Sequence, residues 1–195
     1  GESLTVVETD GLTIGAGDVT TNGGLISIRT GGLLNGTGDI DAGSANVSLN
    51  SATGIGLTGL VSGNVLTLQA GTSASVTTTV NAVTGSAATG LTISETNDLN
   101  IASGGLQVTG GPLSITLLGG SLAGSGTVTV AGNADLNATG SVILNAAAGQ
   151  VVVSGLLNVA AGTDSALNTS AGSLIANVTG GGLTIVEADG LTIAA

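Results

Sequence analysis

The residues with the most chemistry to offer are three acidic pairs set in near-identical phrases. Glu8 and Asp10 lie in LTVVETDGLTI, Glu95 and Asp98 in LTISETNDLNI, and Glu187 and Asp189 in LTIVEADGLTI. The phrases begin at Leu4, Leu91 and Leu183, 87 and then 92 residues apart. Calcium takes about six to eight oxygen ligands, and a turn carrying a Glu, an Asp and free carbonyls supplies several. These six residues are therefore the candidate metal ligands, and calcium is the cofactor they would hold. The competing reading is that Asp-Gly and Asn-Asp make corners, because Asp hydrogen-bonds its own backbone and tolerates left-handed φ. The specific calcium repeat GGxGxDxUx is absent, which favours the corner.

Other candidate groups are sparser. Asp39 and Asp41 in DIDAG lie two apart and face one side of a strand, the arrangement of paired carboxylates that glycoside hydrolysis uses. No Lys, His or aromatic residue accompanies them, so they read as a solvated corner. Thr77/Thr79 and Thr127/Thr129 are Thr-x-Thr pairs, but an ice-binding array would repeat the pair at every turn of the chain. Asn35, Asn46, Asn137, Asn168 and Asn177 head N-x-[ST] acceptor patterns, and inward asparagine ladders are an alternative use for such residues. Arg29, the one basic residue, is expected to pair with a neighbouring carboxylate. No phosphate loop, metal quartet or nucleophile triad can be assembled, and the chain is read as a non-enzyme with no catalytic residue.

Composition limits what can position these groups. The chain has no Phe, Tyr, Trp, Met, Cys or His, and 36 of its 195 residues are Gly. Without aromatic side chains no thick core can be filled, so the core must be thin and aliphatic. A hydrophobic fraction of 42% is too high for a solvated disordered tail. No apolar run approaches the roughly 18 residues of a membrane helix, and the aromatic girdles of a membrane barrel are missing. Twelve acids against one base give a net charge of −11, which argues against nucleic acid and anionic membrane surfaces as partners.

Leu, Ile or Val recurs two residues apart in LTVV, LISI, NVSL, LTL, TVTV and VVV, the period of a strand. Gly-Gly, Asn-Gly and Ala-Gly pairs between them permit tight corners. Matching segments recur at near twenty residues, the rhythm of a parallel β-helix. The expected architecture is all-β: one continuous solenoid over residues 1–195, with about 20–23 residues per coil and about nine coils. Super-repeats span 4–90 and 91–182, and a third starts at 183–195. Each holds about four coils, so the LTxxE phrase is expected at the same place on the solenoid every ~19 Å. The expected inward residues are Leu4, Val6, Leu12, Ile14, Ile26, Ile28, Val47, Leu49, Leu66, Leu68, Leu91, Ile93, Leu99, Ile101, Val128, Val130, Val151, Val153, Leu183 and Ile185.

Phrases such as NVSLNSATGIGLTGLVSGNVLTLQAGT and GSVILNAAAGQVVVSGLLNVAAGTD resemble the very large β-strand-repeat surface proteins of bacteria, including filamentous-haemagglutinin-like adhesins. The resemblance covers nearly the whole chain and rests on repeat style. It implies a right-handed parallel β-helix, secretion to the cell surface or beyond, and a role as filament, adhesin stalk or matrix fibre. A secretion signal is then expected upstream of Gly1. The expected partners are copies of the same chain, joined head to tail or laterally, and surface polysaccharide. The alternative reading is a carbohydrate-binding or carbohydrate-cleaving β-helix.

Overall fold

A computed structural model describes residues 1–147 and 149–194. The described residues form twenty strands and no helix. The strands stack in parallel into a β-solenoid, and one ladder can be followed from end to end. It runs Leu12, Leu34, Ile55, Ala74, Leu91, Leu113, Ala134, Leu157, Leu174, Ile193, each residue paired with the next. Nine steps make nine coils. The eight residues from Leu34 to Leu174 are fully buried, so the core is a narrow column of aliphatic side chains. Burial of this kind is worth about 25 cal/mol per Å² of apolar surface, and every coil renews it.

All twenty expected inward residues lie in or against this core. Only those near the ends, Leu4, Val6, Leu12, Leu183 and Ile185, are partly exposed. The reason is the one anticipated: apolar residues two apart on a strand share a face. With no aromatic available, Ile and Leu are the largest side chains to be fully buried.

Coil length, by contrast, is not constant. The ladder's steps are 22, 21, 19, 17, 22, 21, 23, 17 and 19 residues. Contraction comes from losing a corner. Four residues turn the chain between strands Leu12–Ile14 and Val19–Thr20, and three between Leu34–Gly36 and Ile40–Asp41. In the later coil of strand Ser73–Ala87 the strand continues through the equivalent place. The two short sides thereby fuse, and strand Gly90–Glu95 lies along both.

On the opposite side a corner appears. Residues 82–87 form one unbroken run, but the chain above them pairs as Asn100–Ile101 and then Leu106–Val108, with the intervening residues bulged out. Gly105 makes that bulge with φ of +72°, a region that favours glycine. A Cβ there would stand 2.5 Å from the Thr127 carbonyl oxygen of the next coil.

These exchanges overturn the expectation that LTxxE marks one place every four coils. Leu4 stacks through Ile26, Val47 and Leu66 to Val83, four coils, and Leu91 comes eight residues later on the other side of the rod. Strand Leu183–Glu187 returns to the side of Leu4, through the strands of Ile101, Leu122, Val142 and Ala166. One super-repeat is therefore about four and a half coils, and two make nine, about 43 Å at ~4.8 Å per coil.

Candidate functional site: the recurrent glutamate corners

Two of the three LTxxE glutamates, Glu95 and Glu187, sit where the solenoid changes its corners. Along one short side the inward ladder runs Val19, Ile40, Val61, Thr78, Glu95. On the other it runs Leu106, Val128, Val151, Thr169, Glu187. Both are three aliphatics, a threonine and a glutamate. The acid thus enters the core stack one coil above the strand in which the short side is absorbed, stacked on that strand's threonine.

Glu95 is fully buried and accepts four hydrogen bonds. Its Oε2 takes the Thr78 hydroxyl at 2.8 Å and the Val80 backbone N–H at 3.1 Å, both from the coil beneath. Its Oε1 takes the N–H groups of Thr96 at 2.8 Å and Asn97 at 3.3 Å, in its own corner. Burying a carboxylate without a cation is costly unless donors surround it, and here they do. Among the described residues no buried side-chain oxygen or nitrogen lacks a partner.

Glu187 repeats the pattern. The Thr169 hydroxyl donates to Oε2 at 2.6 Å, and the N–H groups of Ala171 and Ala188 donate to Oε1 at 3.2 and 3.0 Å. Glu8 keeps only the near half: Thr9 and Asp10 donate their N–H groups to Oε1 at 2.9 and 3.3 Å. It belongs to the first coil, so no described coil lies beneath it.

The aspartates of the three pairs diverge. Asp98 accepts the Ser121 N–H of the next coil at 2.7 Å. Asp189 accepts the Ser170 hydroxyl and the Gly190 N–H, each at 2.9 Å. Its carboxyl is held below the ordinary value by hydrogen bonding with the Glu187 carboxyl, then with Ser170 and Gly190. Asp10 is exposed, and its backbone carbonyl accepts the Gly32 N–H. Glu8 and Glu187 lie on one side of the rod, nine coils apart, with Glu95 on the other. No group of three or more acids able to hold a metal occurs among the described residues.

The remaining candidates also take up backbone work. Asp39 accepts the Leu60 N–H at 2.7 Å and Asp41 the Gly43 N–H at 2.8 Å, both from exposed positions. Thr77 has Leu60 below it and Ser94 above, and Thr129 lies between Gln107 and Val152, so neither Thr-x-Thr pair is repeated by its neighbours. The register partners of Arg29 on the adjacent coils are Val7 and Asn50, neither of them a carboxylate. Exposed Arg29 adjoins two shallow clefts, one lined by Asn50, Gln69 and Ser86, the other by Val7 and Glu8.

The sequence reading missed two outward ladders. Thr5, Ser27, Ser48, Thr67 and Thr84 share one outward register column over five coils. At an exposed corner Asn64 donates to Asn46, Asn81 to Asn64, and Asn100 to the Asn81 carbonyl. The asparagine ladder thus forms outside the core. Steps of 22, 21, 19 and 17 residues hid the hydroxyl column, since no fixed period aligns it.

No family model, curated protein or solved structure matches this chain.

Proposed function

We propose that this chain is a structural segment of a long, secreted, repetitive bacterial protein, serving as an extracellular filament, adhesin stalk or matrix fibre and associating with its own copies. The observation that carries this reading is the unbroken nine-step ladder from Leu12 to Ile193, maintained even where the corners change. Each added coil contributes the same backbone bonds and aliphatic layer, so stiffness extends with length. The glutamates serve this continuity by satisfying backbone donors at the corner changes. An uncapped strand edge on such a rod is the usual template for pairing with another copy.

Negative-stain microscopy and fibre diffraction of the purified chain test the proposal, with and without a calcium chelator. Long unbranched filaments with a meridional spacing near 4.8 Å are expected, and chelation should leave them intact because the Glu95 oxygens already hold protein donors. Short monodisperse rods would reduce the role to a spacer, and filament loss on chelation would give calcium to the acidic pairs.

A second reading is favoured by Arg29. A guanidinium beside the outward stack Asn50, Gln69 and Ser86 suits a glycan carboxylate flanked by hydroxyls. Binding to acidic polysaccharide that is lost in Arg29→Gln would support it, and equal binding by the two proteins would remove it.

A further inference from the structure

Resting on the self-association reading, a lateral contact between copies can be derived from the charges on two flat faces of the rod. Strands Leu4–Glu8, Ile26–Thr30 and Val47–Ser51 and residues 66–70 stack into one face with two outward columns. The first column holds Thr5, Ser27, Ser48 and Thr67, and the second Val7, Arg29, Asn50 and Gln69. On the opposite side, higher along the axis, strands Leu113–Leu117 and Ala134–Ala138 and residues 157–161 and 174–178 build another face. Its first column holds Ser114, Asp135, Asn158 and Ile175, and its second Thr116, Asn137, Ala160 and Asn177.

The chain carries 12 acids, yet each face has a single outward charge: exposed Arg29 on the first, exposed Asp135 on the second. The Asp135 Oδ1 accepts the Asn158 side-chain amide at 3.1 Å, which holds the carboxylate on its face. The other acids lie outside the strands, on the short strand Ile40–Asp41 or, as Glu8, Glu95 and Glu187, in the inward register. Contact between the two faces therefore opposes no like charges.

The chain winds in one sense, so two rods side by side with parallel axes present strands running in opposite directions across the contact. The first outward residue of a strand then meets the second outward residue of its partner. With strand Ile26–Thr30 laid on strand Ala134–Ala138, Arg29 meets Asp135 and Ser27 meets Asn137. One coil further, Asn50 meets Asn158 and Ser48 meets Ala160. Opposed axes would set Arg29 against Asn137, and two like faces would bring no outward acid to Arg29.

We propose that copies of this chain pack side by side with parallel axes, the Arg29 face of one against the Asp135 face of the next, and that this charge pair fixes their orientation and stagger. Thr129 stands five coils above Arg29 and Asp135 follows it in the next strand, so neighbours are offset by about 24 Å. A contact of unlike faces leaves the opposite face of each copy open, and the packing continues into a sheet of rods. Four overlapping coils, five residues wide, cover about 300 Å² per copy against the roughly 800 Å² of a stable complex, so single segments associate weakly and the pair selects register more than it supplies affinity.

The chain has no cysteine, so single introduced cysteines report cleanly. Full-length Ser48→Cys and Ala160→Cys proteins are mixed at about millimolar concentration, as so small a contact requires, and treated with a short thiol cross-linker. The mixed dimer should exceed that of Ser48→Cys with Ser114→Cys, the pair that opposed axes would bring together, by about tenfold or more. Adding Arg29→Glu to the Ser48→Cys protein, or Asp135→Arg to the Ala160→Cys protein, should cut the 48–160 product about tenfold, and the two reversals together should restore it. Circular dichroism verifies that the variants keep their strands; where a reversal does not, Arg29→Gln or Asp135→Asn takes its place with the same loss expected. Acidic polysaccharide binding should be unchanged in Asp135→Arg, which tells this use of Arg29 from the glycan one. A 48–160 product no stronger than the 48–114 product, or one indifferent to the charge changes, overturns the contact. Filaments without the 48–160 product would leave self-association standing by another contact, and the absence of both would remove the two together.

Discussion

Glu95 stands directly above Thr78 in the inward ladder, and the Thr78 hydroxyl donates to its Oε2 at 2.8 Å inside the core. An acid placed between a threonine and Leu117 is the least expected layer of an otherwise aliphatic column. Its carboxylate replaces the backbone partners that the chain loses where a corner disappears. Thr169 and Glu187 reproduce the pair at the next such place.

Glu95→Ala should therefore cost about 3 kcal/mol, since it strands the Val80 N–H in the core and leaves the Thr78 hydroxyl only the long contact to the Ser94 carbonyl at 3.5 Å. Glu95→Gln should recover only part, because an amide offers one acceptor oxygen and turns an NH2 group on the remaining donors. Glu8→Ala, which loses only the two bonds of its own corner, should cost under about 1 kcal/mol. Urea midpoints of the three variants rank them, and equal losses for Glu8 and Glu95 would refute the assignment.

Gly105 makes the bulge that opens a new corner. Gly105→Ala forces a side chain into φ of +72° and against the Thr127 carbonyl. A loss of about 2 kcal/mol or more is expected, whereas Gly172→Ala, with open space around the new Cβ, should be nearly neutral. Thermal melts of the two variants decide it.

Trypsin has one target, Arg29. Thr30, on the far side of the scissile bond, is buried, and strand Ile26–Thr30 is paired on both edges. The folded rod should resist digestion, and heat-unfolded chain should give two fragments, residues 1–29 and 30–195. Rapid cleavage under native conditions would mean that the first coils open independently.

Asp189 offers a pH test. Its carboxyl is lowered from the ordinary 3.8 by the Glu187 carboxyl, the Ser170 hydroxyl and the Gly190 N–H. A depressed acid contributes its stabilisation above the unfolded value and loses it as pH falls through the folded one. The bonds to Ser170 and Gly190 should hold at pH 3.8 and release below it. A carboxyl-carbon NMR titration with a midpoint at or above 3.8 would contradict this arrangement.

Much of the rod was legible in the residues themselves. Period-two aliphatics such as Ile26/Ile28 and Val151/Val153 identify strands and the face they bury, because side chains alternate along any extended chain. Glycine-rich corners, a core without aromatics and a recurrence near twenty residues then leave a thin parallel coil as the consistent architecture. The tertiary structure alone decided which coil each strand joins. A corner of four residues or none satisfies the same local rules, so the step from Ala74 to Leu91 could shrink to 17 residues without a local signal. That choice moved the LTxxE phrase to the opposite side and buried Glu95. It also brought the distant Thr78 under it, because register is set by the stacking of whole coils and not by any one segment.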